Sequence, residues 1–115
     1  MSTPMDSSSA ITALAALAQE GRLAVFRLLI KSGPQGTAAG KIARTLRVPH
    51  NTLSAQLAIL CRAQLLRSGR DGRSIIYAID LDATRQLLSF LVEDCCRGSP
   101  EVCQPLIASA LVECC

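Results

Sequence analysis

Along most of the chain, apolar residues recur at spacings of three and four, and in one short stretch they recur at two. The three-four spacing predicts helices. A first helix is expected over roughly residues 8–18, capped by Ser7 to Ser9, with Ile11, Leu14, Ala15 and Leu17 as its apolar face. It is apolar almost all round, so it should be well buried or pack on a partner subunit. A second runs from about Arg22 to Lys31, with Leu23, Phe26, Leu29 and Ile30 in one stripe, and Gly33-Pro34 stops it. Gly36-Thr37 is read as the cap of a short third helix, Thr37–Leu46, with Ala39, Ile42, Ala43 and Leu46 inward. Arg47-Val48-Pro49 makes a turn, and a fourth helix follows from His50 to Ala63, with Leu53, Leu57 and Leu60 on its buried side.

The period then changes. Ile75, Tyr77 and Ile79 alternate, which predicts a strand with those three on one face. Leu65 to Ser68 is its expected hairpin partner, and Asp71-Gly72 is the turn signal between them. Asp80 or Asp82 caps a fifth helix with the stripe Ala83, Leu87, Leu88, Leu91 and Val92, ended by Arg97-Gly98-Ser99-Pro100. The sequence thus predicts a mainly α fold with a small β-hairpin. Two short helices joined by a tight turn and followed by a hairpin with Arg at its tip make a winged helix-turn-helix. The expected organisation is a winged helix-turn-helix DNA-binding domain over residues 1–94 and a cysteine-rich tail over 95–115.

Composition adds to this picture. The chain has 115 residues, half of them apolar, enough for one modest core and too few for two independent domains. The net charge of +3 conceals a strong asymmetry. Arg22 to Arg73 holds ten Lys or Arg against one acid, Asp71, while the remainder holds two basic residues against eight acids. A basic centre between acidic ends points to a polyanion. Only Phe26, Tyr77 and Phe90 are aromatic, which disfavours a single-strand or RNA binder that stacks bases. The N-terminus lacks the basic start of a secretory signal, and no apolar run near it spans a bilayer, so a soluble, cytoplasmic protein that engages no membrane is expected. No Gly-rich anion loop lies beside a Cys, which argues against a thiol enzyme.

In a helix-turn-helix, the start of the second helix enters the major groove. Here that segment offers His50, Asn51, Thr52, Ser54 and Gln56. Asn and Gln pair with adenine through two bonds, and Ser or Thr contact bases or phosphates. Lys41, Arg44 and Arg47 lie on and after the supporting helix, suited to phosphates. Arg70 and Arg73 flank the wing tip, within reach of phosphates or a narrow minor groove. His50, the chain's one histidine, reads as a helix-start contact rather than a metal ligand, and Cys61 as a small apolar packing residue.

The stretch Ala16-Leu17-Ala18-Gln19-Glu20-Gly21-Arg22-Leu23 resembles the "ALADPTRL" opening of the ArsR/SmtB metalloregulators. Leu53-Ser54-Ala55-Gln56-Leu57-Ala58-Ile59-Leu60 is similar to their "VSRHLKVL" recognition-helix signature, and Gly72-Arg73 with Ile76-Tyr77 looks like their wing. The resemblance covers about residues 10–95. It implies a homodimeric repressor, joined through its first and last helices, that leaves operator DNA when a toxic ion binds. There are three departures. Ala55-Gln56 replaces the family's "RH", so base preference does not carry over. Gln64 stands where Gly usually follows the recognition helix. The third helix opens on Thr37-Ala38-Ala39-Gly40 and lacks the family's frequent Cys-Val-Cys, so the inducer site must lie elsewhere.

Six cysteines are present, and Cys95, Cys96 and Cys103 are the candidates, brought together by a turn at Gly98 and Pro100. In a reducing compartment such clusters bind soft metals or act in redox chemistry. A three-thiolate set with no histidine suits trivalent arsenic, and antimony after it, better than zinc, which takes four ligands. The other readings are a divalent soft-metal sensor for Cd or Zn and a thiol redox switch. Cys114 and Cys115 fit either an auxiliary or an inert role.

Overall fold

A computed structural model describes residues 5–96 of the chain. Helix α1 (Ser7–Leu17) starts where Asp6 accepts a hydrogen bond from the Ser9 amide at 2.8 Å. That bond holds the Asp6 carboxyl below the usual carboxylate range, so the cap strengthens above that range and is lost on acidification through the lowered value. Helix α2 (Glu20–Ser32) is capped in the same way by Gln19, whose Oε1 accepts from the Arg22 amide. Helices α3 (Ala39–Leu46) and α4 (His50–Arg62) follow, then strands β2 (Leu66–Asp71) and β3 (Ser74–Ile79), and helix α5 (Leu81–Cys96), capped by Asp80 through the Ala83 amide.

Strand β1 (Thr37–Ala38) was not legible in the sequence. It pairs antiparallel with β3, Thr37 opposite Tyr77, and completes a three-stranded sheet in the order β1-β3-β2. Thr37 is therefore a strand residue and not the cap of the third helix. Its hydroxyl donates to Ser32 Oγ at 2.7 Å, and α3 begins at Ala39 without a side-chain cap. Gly36 makes this pairing possible. Its φ is +78°, and a Cβ there would sit 2.5 Å from the Tyr77 carbonyl oxygen.

The core joins Val25 and Leu29 of α2, Ile42 of α3, Leu53, Leu57 and Leu60 of α4, Leu65 just before β2 and Ile79 at the end of β3, all essentially buried. The buried face of α1 differs from the expected one. It consists of Ala10, Ala13 and Ala16, while Ile11 is 65% exposed and Leu14 also lies outside. Three alanines on one helix face allow a close approach to the core, so the larger side chains are turned away. On α2, Leu23 and Ile30 are likewise exposed, and Val25 takes the inward position. On α5, Leu87 is buried and Phe90 packs against the core, whereas Leu81, Leu88 and Leu91 form an exposed apolar stripe.

Arg47 and Gln64 adopt left-handed backbone, at φ of +56° and +67°. Gln64 follows α4, where the sequence lacks the usual glycine. Relief of about 1–2 kcal/mol of left-handed strain, offset by about 0.5–1 kcal/mol of extra chain entropy, predicts that Gln64→Gly stabilises the fold by about 0.5–1 kcal/mol. Denaturant midpoints of the two chains check this. No helix among the described residues is long and apolar enough to cross a membrane.

Candidate nucleic-acid interface

Leu53, Leu57 and Leu60 anchor α4 to the core, and this fixes which side chains α4 presents outward. His50, Asn51, Thr52 and Ser54 are all exposed at its N-terminal end. That end has no side-chain cap, because Pro49 occupies the N-cap position. The Thr52 amide is satisfied locally by Asn51 Oδ1 at 3.0 Å. Uncapped amides and the helix dipole make this terminus electropositive, and the exposed polar side chains surround it.

Gln56 is placed differently from its neighbours. Its side chain lies over Gly21 at the start of α2, where a Cβ would fall on Gln56 Nε2. Its Oε1 is buried without a hydrogen-bond partner. Gln56 thus braces the recognition helix against the α1–α2 corner instead of projecting with Asn51 and Ser54. The signal that would have shown this is Gly21, whose missing side chain makes the space.

Lys41 and Arg44 are exposed on α3, and Arg47 is exposed immediately after it. The turn Arg47–Pro49 joins the helix that carries Lys41 and Arg44 to the start of α4. On the other flank, β2 and β3 form the wing, with Arg70 opposite Ile75 and Asp71 opposite Ser74. The connecting residues are Gly72, at φ +65°, and Arg73. Arg70 and Arg73 are exposed, as is every residue from Arg67 to Ile75. The hairpin is longer than the sequence predicts, because β2 continues from Leu66 to Asp71.

Not all of the basic centre is available to a polyanion. Arg22 Nε donates to the Ala16 carbonyl at 2.7 Å, and its Nη2 reaches the Ala15 carbonyl at 3.4 Å. Its charge sits against the negative end of α1 and holds the α1–α2 corner. Cys61 is half-buried, and burial pushes its thiol up from the ordinary value. Tyr77 is raised by burial first and by the nearby Cys61 second. The Cys61 thiol accordingly stays protonated near neutral pH and is a poor nucleophile.

Cys95 and Cys96 fall in the final turn of α5, and Cys103 lies outside the described residues, as do Cys114 and Cys115. Among the described residues no group of three His, Cys, Asp or Glu could hold a metal ion.

Residues 17–69 match a family described as a helix-turn-helix domain. No curated protein matches the chain. Several solved structures do. HlyU from Vibrio cholerae N16961 is 26% identical, with a TM-score of 0.60, over 74% of this chain and 92% of that one. The homodimeric winged helix-turn-helix DNA-binding domain of a possible ArsR-family regulator from Mycobacterium bovis is 25% identical, with a TM-score of 0.62, over 78% and 82%. A possible transcriptional regulator for arsenical resistance is 26% identical, with a TM-score of 0.61, over 70% and 81%. The chain carries a helix-turn-helix domain in the winged arrangement of ArsR-like regulators.

Proposed function

We propose that this winged helix-turn-helix chain is a DNA-binding transcriptional regulator of the ArsR type that acts as a homodimer. The observation that carries the reading is the common exposure of the α4 N-terminus, the α3 cations and the wing arginines around one helix-turn-helix. In this arrangement Asn51 and Ser54 read base edges, His50 and Thr52 contact bases or phosphates at the groove entrance, and Lys41, Arg44, Arg47, Arg70 and Arg73 hold the phosphate backbone. The exposed Leu14 of α1 and Leu81 and Leu88 of α5 supply the dimer seam. A dimer sets two recognition helices about one DNA turn apart, roughly 34 Å.

The regulatory reading is that trivalent arsenic, or antimony, binds Cys95, Cys96 and Cys103 and releases the operator. It is supported by the soft, histidine-free donor set and by the likeness to a possible regulator for arsenical resistance. Cys95 and Cys96 end the helix that carries Leu81 and Leu88, so an ion held there acts on the seam that spaces the two reading heads. Release requires the ion to bind the DNA-incompetent form more tightly. A coupling of about 1–3 kcal/mol weakens DNA binding by roughly 5–150-fold. Cys95→Ser is expected to keep DNA affinity and to lose release by arsenite, read by anisotropy of a labelled duplex. Unchanged release in that variant would remove these thiols from the site. Release by peroxide that dithiothreitol reverses would assign them to redox sensing instead.

A further inference from the structure

A groove of about 430 Å³ runs between α1 and the second half of α4. It lies apart from the exposed start of α4 and from the wing. Its walls are mostly apolar, with Ile11 and Ala15 on one side and Ile59 on the other, and Thr12 is the one hydroxyl among its lining residues. Two guanidiniums border it, Arg22 at the α1–α2 corner and Arg62 in the last turn of α4. Among the described residues no carboxylate lines it. Arg22 is fixed in place by its bonds to the Ala16 and Ala15 carbonyls, whereas the Arg62 side chain is exposed. The exposed Ile11 is explained by the same feature, since it flanks the groove rather than the core.

Small-ligand sites are concave and largely apolar, with a few polar groups that fix orientation, and they fall in the range of roughly 300–1,000 Å³. An apolar trough with an exposed guanidinium at its border selects an apolar body carrying one negative head group. We infer that the α1–α4 groove binds a small amphipathic anion, a carboxylate with a medium-length hydrocarbon body, with Arg62 as the principal charge contact and Ile11, Ala15 and Ile59 around the chain. Ile59 and Arg62 belong to the helix that presents Asn51 and Ser54, so occupancy bears directly on the recognition helix. That consequence rests on the DNA-binding reading, whereas binding itself is measured without DNA.

The test titrates decanoate, below its micelle concentration, into the isotopically labelled full chain and follows backbone amide shifts. Saturable shifts are expected at Ile11, Ala15, Ile59 and Arg62, with a dissociation constant of about 0.1–1 mM. Decyltrimethylammonium has a hydrocarbon body one methylene longer with the opposite charge and is expected to bind at least about tenfold more weakly. Arg62→Glu, at an exposed position in the last turn of α4, is expected to weaken decanoate by a similar factor while leaving the spectrum folded. Equal binding of both surfactants, unchanged affinity in Arg62→Glu, shifts confined to another surface, or no saturable shifts would each overturn the assignment. Saturable decanoate shifts at these residues with no DNA binding by the same chain would overturn the DNA-binding reading and leave the groove assignment standing.

Discussion

Replacing Lys41, Arg44 and Arg73 together by Ala will flatten the salt dependence of DNA binding. The three lie on α3 and at the wing tip, exposed on either flank of α4. Each phosphate contact that is lost removes about 0.9 from the slope of log affinity against log salt. Six contacts per dimer therefore make the slope shallower by about 5. Two controls separate this effect from general loss of charge. Arg85→Ala on α5 removes an exposed cation away from the helix-turn-helix and should leave the slope unchanged. Arg22→Ala removes a cation that sequence alone assigns to the same basic centre, but Arg22 is bonded to the end of α1. It should lower stability by about 1–2 kcal/mol, since bonds to charged groups and helix ends are worth that much, and leave the slope nearly unchanged. Anisotropy at several salt concentrations gives all three slopes, and urea unfolding gives the stability.

Leu88→Glu will separate the dimer and weaken DNA binding by at least about 100-fold, because joining two half-site readers raises avidity by roughly 10²–10⁴. Leu88 is 54% exposed and points about 100° around α5 from buried Leu87. A glutamate there faces water in the monomer and would be desolvated in the seam. The thermal midpoint of the monomer should therefore change little, while sedimentation shows half the mass. By contrast, Leu57→Ala on α4 should cost about 2–5 kcal/mol, the usual range for a buried Leu→Ala change, because Leu57 is buried in the core. A dimeric Leu88→Glu protein with full affinity would move the seam to another face.

The parts of the fold that the sequence announced are those where large apolar residues mark the buried face. Leu53, Leu57 and Leu60 set the position and orientation of α4, and with it the exposure of His50, Asn51, Thr52 and Ser54. The wing was legible because Asp71-Gly72 sits between residues that favour strands. Helix α1 was found, but its orientation was not. A reading that weights residue size selects Ile11 and Leu14, whereas the close approach of α1 to the core selects Ala10, Ala13 and Ala16. Strand β1 has only Thr37 and Ala38, and two residues carry no period. Gln56 looked like its neighbours on the recognition helix, and only the space left by Gly21, far away in sequence, draws it down onto α2. Charge counting located the basic face but included Arg22, whose partners are backbone carbonyls that composition does not reveal.

The central claim is that this winged helix-turn-helix binds duplex DNA through its exposed basic face. Its most direct test is the anisotropy of a fluorescein-labelled duplex titrated with the unmodified chain at 50 mM and at 200 mM salt. With about 6–10 phosphate contacts per dimer, affinity should fall by roughly 10³–10⁵ between the two. No rise in anisotropy at 50 mM salt, or a rise that is the same at both salt concentrations, would contradict the account.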